Sequence, residues 1–523
     1  MRKDLILPMD EDYVGYLSDE SRNTGYAESI SFPRDRQELI RSLEYCAQKG
    51  LQITVQGPRT GVTAGSVPHG GHVVNMSRMN RVLGLRRGDG RFYLRVQPGL
   101  TLRELREMLS EKRFDTENWD SESEAALRDF IASGQWFFSP DPTETTASIG
   151  GMIACNSSGA CSYKYGPVRK HISAVSAVTA DGDVIELKRG QRFACDGILE
   201  LETVQGRKIS VKLPSYTLPP VKNASGYWTG ESMDAIDILI GSDGTLSVIV
   251  EAELELIPAP TVIWAVTAFF RHEPDTVTSV EALRTCGADP AAIEFFDNAA
   301  LEILRENKPA GALIRPLPEI PIGRTAVYTE FHCRDEDEAW TRLRLTADCI
   351  ESSGGNLRET WLAKSAGERE GLKLFRHAVP ESVNKLIAQR KRRHPGISKL
   401  GTDFSVPAGR LGDIMGVYRS GLERTGLQSA IWGYIGDNHV HVNILPSDER
   451  EFAEGKKLYG LWAKEVVAMG GAVCAEHGAG KIKVPYIAMM YGEEHVEEMR
   501  RVKAAFDPEW RLGVGNVFTK ERE

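Results

Sequence analysis

Two short stretches late in the chain concentrate side chains suited to acid–base and metal chemistry. The first is Gly433-Tyr434-Ile435-Gly436-Asp437-Asn438-His439-Val440-His441-Val442-Asn443-Ile444. From His439 its alternation reads as a strand, which places His439, His441 and Asn443 on one face and Val440, Val442 and Ile444 on the other. The apolar face packs; the polar face must find ligands or water. The second stretch is Gly470-Gly471-Ala472-Val473-Cys474-Ala475-Glu476-His477-Gly478-Ala479-Gly480-Lys481. Carboxylate and imidazole are common donors for a divalent ion, and the glycines allow close approach. Only 11 histidines occur in the chain, and these two stretches hold three of them.

A second kind of chemistry is written in glycine. The chain has 50 glycines in 523 residues, and they gather in knots where backbone must turn tightly or approach a ligand. The first knot, Val55 to Ser66, carries Gly57, Arg59, Thr60, Gly61, Thr63 and Gly65. Its small residues let successive backbone N–H groups point into one concavity, as a pyrophosphate requires. The spacing is neither Gly-x-Gly-x-x-Gly nor a P-loop with its Lys-Ser/Thr. The second knot holds Ser148, Gly150, Gly151, Asn156 and Gly159; the third is Gly241-Ser242-Asp243-Gly244-Thr245. Three such knots in one region exceed what plain turns need.

These groups have to be positioned by a large chain. Its length suggests two to four domains, and 41% apolar with 26% charged residues is ordinary for a globular protein. A net charge of −9 argues against a general nucleic-acid binder. No run of about 18 apolar residues predicts a membrane span. Met1-Arg2-Lys3-Asp4 leads straight to Pro8 without a signal-peptide core, so a cytoplasmic protein, peripheral to a membrane at most, is expected. The eight cysteines show no Cys-x-x-Cys, which argues against an iron–sulfur cluster or a disulfide framework within the chain. Short strands and helices alternate in the first half: a helix over Asp35–Lys49, a strand over Leu51–Val55, a helix over Leu100–Leu109 and a hairpin over Ile172–Leu187. A long strand over Leu246–Ile257 runs into Pro258-Ala259-Pro260, the best linker candidate. Beyond it, strands over Val262–Phe270 and Ala326–Cys333 alternate with helices over Thr276–Cys286 and Glu336–Ser353. Arg390 to His394 reads as a solvated charged face.

The three knots in this order, followed by the two histidine stretches, resemble the vanillyl-alcohol oxidase / p-cresol methylhydroxylase superfamily. Closest are its FAD-linked 2-hydroxy-acid dehydrogenases: the glycolate oxidase flavoprotein subunit, D-lactate dehydrogenase and D-2-hydroxyglutarate dehydrogenase. The resemblance runs from about Pro33 to Phe518. It implies an α+β fold, with a two-subdomain FAD-binding domain over residues 1–258. A substrate-binding cap with an antiparallel sheet would span 259–485, and residues 486–523 would return to the FAD domain. It implies non-covalent FAD held by Gly57, Arg59, Thr60, Gly61, Thr63, Gly65, Ser148, Gly150, Gly151, Asn156, Gly159, Gly244 and Ile249.

The same resemblance assigns roles at the site. His441 and Glu476 match metal ligands, and His477 matches the catalytic base. The family's first metal histidine is Tyr434 here, and a family asparagine is His439. Either His439 supplies the third ligand to a divalent ion (Zn, Mn or Fe), or the metal is lost or bound differently. Arg376 matches the arginine that grips the substrate carboxylate, and Asn443 joins the catalytic set; Lys399 or Arg393 would meet a second carboxylate. The family's Asn-Pro-x-Lys reads Gly513-Val514-Gly515-Asn516 here. The implied reaction oxidises a D-2-hydroxy acid with hydride transfer to flavin N5. With no cysteine cluster in the chain, electrons pass to an external acceptor: an electron-transfer flavoprotein, an iron–sulfur subunit or a quinone. A homodimer is left open. Two rivals come from the same superfamily or the same departures: a redox-neutral transferase of the alkylglycerone-phosphate synthase type, faintly echoed by His439-x-His441, and a non-catalytic electron-transfer subunit, motivated by Tyr434 and Asn516.

Overall fold

The computed structural model describes residues 5–306 and 319–520; the amino-terminal reading on Met1 to Asp4 lies outside them. The first sheet has four strands in the order Ile6–Pro8, Ser29–Ser31, His72–Asn75 and Ile53–Gln56, with the last three parallel. The helix Arg36–Lys49 joins two of them. Asp35 caps its start by accepting the Glu38 N–H, and Gly50 ends it at φ 65°, a left-handed turn that costs glycine little. The predicted helix at Leu100 begins two residues later, at Leu102, because Thr101 and Glu104 form a capping box.

A second, antiparallel sheet follows the path Val82–Gly88, Arg91–Val96, Val248–Pro258, Ile172–Val178, Val184–Lys188, with Trp136–Phe137 on the end of its long strand. The hairpin expected around Asp181-Gly182 is present in it. Only three residues separate Val248–Pro258 from the next strand, Val262–Phe270. The proline pair thus joins two sheets rather than opening a long linker.

The third sheet is antiparallel throughout, as expected for a cap. Its path is Trp361–Ala363, Val262–Phe270, Thr325–Cys333, Ala292–Phe296, Ser429–Gly433, His439–Ile444 and Leu400–Gly401, with Phe404–Ser405 on the His439 end. The helix between its first two long strands starts at Glu273 rather than Thr276, since Pro274 suits a first helical turn. Arg390 and Lys391 close the long helix Ala366–Lys391, so the charged stretch is a helix end.

The last described residues go back to the first sheet. Leu512 bridges to Ile53 in parallel, with N–H···O bonds of 2.7 Å from Ile53 to Arg511 and 2.9 Å from Gly513 to Ile53. The buried pair Lys503–Asp507 fixes this return: Lys503 Nζ donates to Leu512 O at 2.9 Å and Asp507 accepts the Leu512 N–H at 2.8 Å. Among the described residues no helix is long and apolar enough to cross a membrane.

Candidate active site

The first glycine knot leaves the end of strand Ile53–Gln56. Gln56 is buried and its side-chain amide donates to Tyr16 O (2.8 Å) and Ser66 O (2.7 Å), so one side chain pins the far end of the loop. Within it Arg59 has φ 65° and Ala64 φ 59°, left-handed positions occupied by residues that pay for them. The second knot starts at Ser148, which caps the helix Ile149–Ala154. The two knots touch: a Cβ on Gly57 would fall 2.4 Å from Ser148 Oγ.

The second histidine stretch closes over these knots. Asp243, where the family has glutamate, accepts the N–H groups of Ala479 (2.9 Å) and Gly480 (3.1 Å). A Cβ on Gly478 would meet Asp243 Oδ1 at 2.4 Å, and one on Gly480 would meet Thr63 O at 2.2 Å. These glycines are therefore fixed by contact as well as by positive φ. Asn516 donates to Gly65 O and Asp243 O, both at 3.0 Å, and accepts from Lys481 Nζ at 2.9 Å. So where the family motif ends in lysine, this chain has an asparagine with a lysine beside it.

A cavity of about 320 Å³ lies between these segments. Gly57, Arg59, Thr60, Gly61, Thr63, Gly65, Ser148, Gly150, Gly151, Gly244 and Ile249 line it, joined by Tyr434, Glu476 and His477. Asn156 and Gly159 do not. Asn156 Oδ1 accepts the Arg169 N–H at 3.1 Å, and a Cβ on Gly159 would strike Asp141 O at 2.0 Å. Both shape the second knot rather than its surface.

At one end of the cavity stands a compact polar group. Glu476 Oε1 lies 3.3 Å from His441 Nε2, 3.3 Å from His477 Nε2 and 3.6 Å from His439 Nε2. The other carboxylate oxygen is held by Lys222 Nζ at 3.0 Å and Ser158 Oγ at 3.4 Å. His439 Nδ1 bonds Phe404 O and His441 Nδ1 bonds Thr402 O, each at 2.8 Å. A carbonyl accepts only, so both rings carry a proton on Nδ1 and direct Nε2 toward Glu476. Buried His439 Nε2 has no hydrogen-bond partner among the described residues. Carbonyl-anchored imidazoles facing a carboxylate are what a divalent ion needs. At this end of the cavity two ligand groups are close enough to serve: Asp403, His439 and His441, and His441, Glu476 and His477.

Asp403 is one of three site residues to which the motifs assign no role. It is almost fully buried and accepts the N–H groups of Glu476 and His477, both at 3.2 Å. Its carboxylate also pairs with Lys483 and lies 3.6 Å from His477 Nδ1. Burial would raise its pKa, but His477, Lys483 and His439 together hold it well below the usual carboxylate range. Burial would also raise Glu476, but Lys222 and the three imidazoles hold it far down. For His477 burial favours the neutral ring, yet Asp403 and Glu476 win and raise its pKa. His439 is lowered to about 4, first by burial and then by His441. His477 is the one member of the trio open to the cavity, with 36% of its side chain exposed.

Other expected residues make different contacts. Tyr434 bonds Thr143 Oγ1 at 3.1 Å, with Lys222 Nζ 4.2 Å over its ring. Asn443 Nδ2 donates to His441 O at 3.0 Å and does not line the cavity. Arg376 does not line it either; its guanidinium is ion-paired to Glu294. Lys399 Nζ lies 5.9 Å from the Trp432 ring, and Arg393 is exposed. Lys222 and Lys483 were missed along with Asp403. The only sequence signal for any of the three was the Asp-Phe-Ser-Val-Pro strand at 403–407.

Two family models cover this architecture. "FAD binding domain" matches residues 27–126 and 122–188, and "FAD linked oxidases, C-terminal domain" matches 259–517. The chain belongs to the FAD-linked 2-hydroxy-acid dehydrogenase family. It is an FAD-dependent oxidoreductase with the expected α+β fold. It is 24% identical to a D-lactate dehydrogenase of Anaerostipes hadrus, over 98% of this chain and 95% of that one. It is 23% identical to the glycolate oxidase subunit GlcD of Bacillus subtilis, over 94% and 89%. An alkyldihydroxyacetonephosphate synthase structure shares the fold at a TM-score of 0.64 and 15% identity, over 98% of this chain and 82% of that one. The glycine cradle fits the flavin dinucleotide on its own terms: small residues, two left-handed positions and a close approach of the two knots that a Cβ at Gly57 would block.

Proposed function

We propose that this family member oxidises a small D-2-hydroxy acid to the 2-oxo acid. The observation that supports this best is His477: a base at the cavity wall, flanked by Asp403 and Glu476, with two further imidazoles behind it. Bound FAD supplies the hydride acceptor. His477 Nε2 takes the substrate hydroxyl proton as the Cα–H bond breaks and the carbonyl forms. Asp403 faces Nδ1, which orients the ring and stabilises its charged form. Lys222 and Ser158 occupy one oxygen of Glu476 and so turn the other toward the histidines. His439, His441 and Glu476 are the residues that would hold a divalent ion, with His439 in place of the family ligand at Tyr434; such an ion would polarise the substrate oxygens. Tyr434 supplies a neutral wall, since burial first, and then Glu476 and Glu294, push its phenol far up.

Two electrons leave through an external acceptor, and the protein works from the cytoplasm. Anaerobic mixing with D-lactate or glycolate should bleach the flavin absorbance, and turnover should then require an added acceptor. A holoenzyme that stays oxidised across a broad panel of D-2-hydroxy acids would defeat the reading, and turnover with no acceptor would point to a redox-neutral transferase.

A further inference from the structure

A third group of possible metal ligands shares no residue with the Glu476 cluster. It consists of Cys161, Glu330 and His332, whose donor atoms all lie within 4.8 Å of one another, and it alone of the three groups contains a thiol among the described residues. Cys161 lies just past the second glycine knot, ahead of the short helix Ser162–Tyr165. Glu330 and His332 are two apart on the strand Thr325–Cys333, so the pleat puts both on one face of the cap sheet. Glu330 Oε1 is the shared point: Cys161 Sγ lies 3.8 Å from it and His332 Nε2 2.8 Å. The other oxygen of Glu330 takes the Tyr328 hydroxyl, and His332 Nδ1 meets Tyr165 Oη at 2.8 Å. Carboxylate and ring are thus each held from behind, as Glu476 is by Lys222 and Ser158. Ala160, Ala291, Ala292 and Tyr434 pack with Cys161, and Asp141 accepts its N–H at 3.0 Å. Glu330 keeps 17% of its side chain exposed, which leaves an ion a way in.

Charge argues in the same direction. Arg376 is ion-paired to Glu294 and within electrostatic reach of Glu330 and Asp141. Three carboxylates therefore share one guanidinium. Burial raises Glu294, and Asp141 and Glu330 add to that against the pull of Arg376. A further cation would offset this surplus of negative charge.

We propose that Cys161, Glu330 and His332 bind a zinc-class divalent ion that joins the second glycine knot to the cap sheet. A tetrahedral ion with sulfur, nitrogen and oxygen ligands needs its donors roughly 3–4 Å apart, close to the separations seen. Thiolate beside imidazole selects zinc or cadmium over magnesium, calcium or manganese, which prefer oxygen. On binding, the Cys161 thiol gives its proton to water and the thiolate takes the ion. Burial first, and then Asp141 and Glu330, raise that thiol well above its ordinary value. A divalent ion reverses this, because a ligating thiol is deprotonated outright. The ion takes no part in the oxidation proposed above. It ties the cap to a loop that borders the flavin cavity, where Ser157 and Ser158 of the same knot line the wall.

The test uses the FAD-loaded protein, treated with chelator, and Cd²⁺ alone as the probe. Binding is followed by the ultraviolet charge-transfer band of a cadmium-bound thiolate. The Glu476 cluster holds no thiol, so an ion there is silent in this band. The unaltered protein should bind with a Kd of about 10 µM or tighter. Cys161→Ser should remove the band, and His332→Gln should weaken binding about tenfold or more. Weaker binding by the unaltered protein would overturn the proposal, and so would an unchanged band in either variant. FAD content and melting temperature report folding; should C161S fail to fold, H332Q decides alone. None of these readings needs turnover, so failure here leaves the oxidation reading standing, and failure of flavin reduction leaves this site standing.

Discussion

The polar face of the cap sheet carries two buried charge clusters that are built in opposite ways. Around Glu476, three imidazoles direct ring nitrogens at one carboxylate oxygen, and His439 Nε2 is left unbonded. Around Arg376, the guanidinium is ion-paired to Glu294, and Tyr328 and His332 both meet Glu330. The first cluster touches the cavity through Glu476 and His477, and the second does not reach it. Burial is common to both, so burial alone does not mark a reactive site. What separates them is access: only the first presents a base and a carboxylate to the cavity.

Breaking the first cluster should affect chemistry more than folding. His477→Ala should lower the rate of flavin reduction by about 10²–10⁴-fold with FAD still bound, measured by anaerobic stopped flow. In the unaltered protein the reactive form of His477 is the neutral one, and its pKa is raised. Activity should therefore climb as pH rises through a value above the ordinary imidazole range, near 6.5. Asp403→Asn should move that limb to lower pH. Breaking the second cluster should do the reverse. Arg376→Met leaves buried acids uncompensated and should cost about 3–5 kcal/mol of stability, read by denaturant unfolding.

The smallest effect is at Asp141. Burial raises its carboxyl to about 6, against opposing pulls from Arg106, Cys161 and Arg376. The folded state therefore holds a proton that the unfolded chain has released, and stability should fall as pH rises from about 4 through 6. Asp141→Asn should flatten that slope and add about 1–3 kcal/mol at neutral pH, seen as a higher melting temperature. A slope that survives the substitution would place the titrating group elsewhere.

Much of this was legible in the sequence because it is local. Glycine knots announce themselves by composition, and His439, His441, Glu476 and His477 by spacing. The strand Val262–Phe270 has the bounds expected of it. What escaped is long-range. Asp403, Lys222 and Lys483 reach the site from three separate segments, and a single buried acid or lysine carries no periodic mark. Arg376 shows the converse problem: its likeness to a family segment implied an anion site, while its partner Glu294 lies on a strand that nothing in the sequence linked to it. Asn156 and Gly159 sit in a knot that does line the cavity, but their side of the loop faces inward.

The bridge between Ile53 and Leu512 has a consequence for biosynthesis. The strand that launches the first glycine loop gains its last edge partner only when nearly the whole sequence has left the ribosome. Asn516 and Lys481, which clamp that loop, arrive equally late. The cofactor cleft is thus finished after the cap between its two halves has been made, a closure at long sequence separation that folds slowly. A nascent chain stalled within the cap would expose an unfinished sheet edge, so production of the loaded enzyme should depend on chaperones more than the stability of the finished fold suggests.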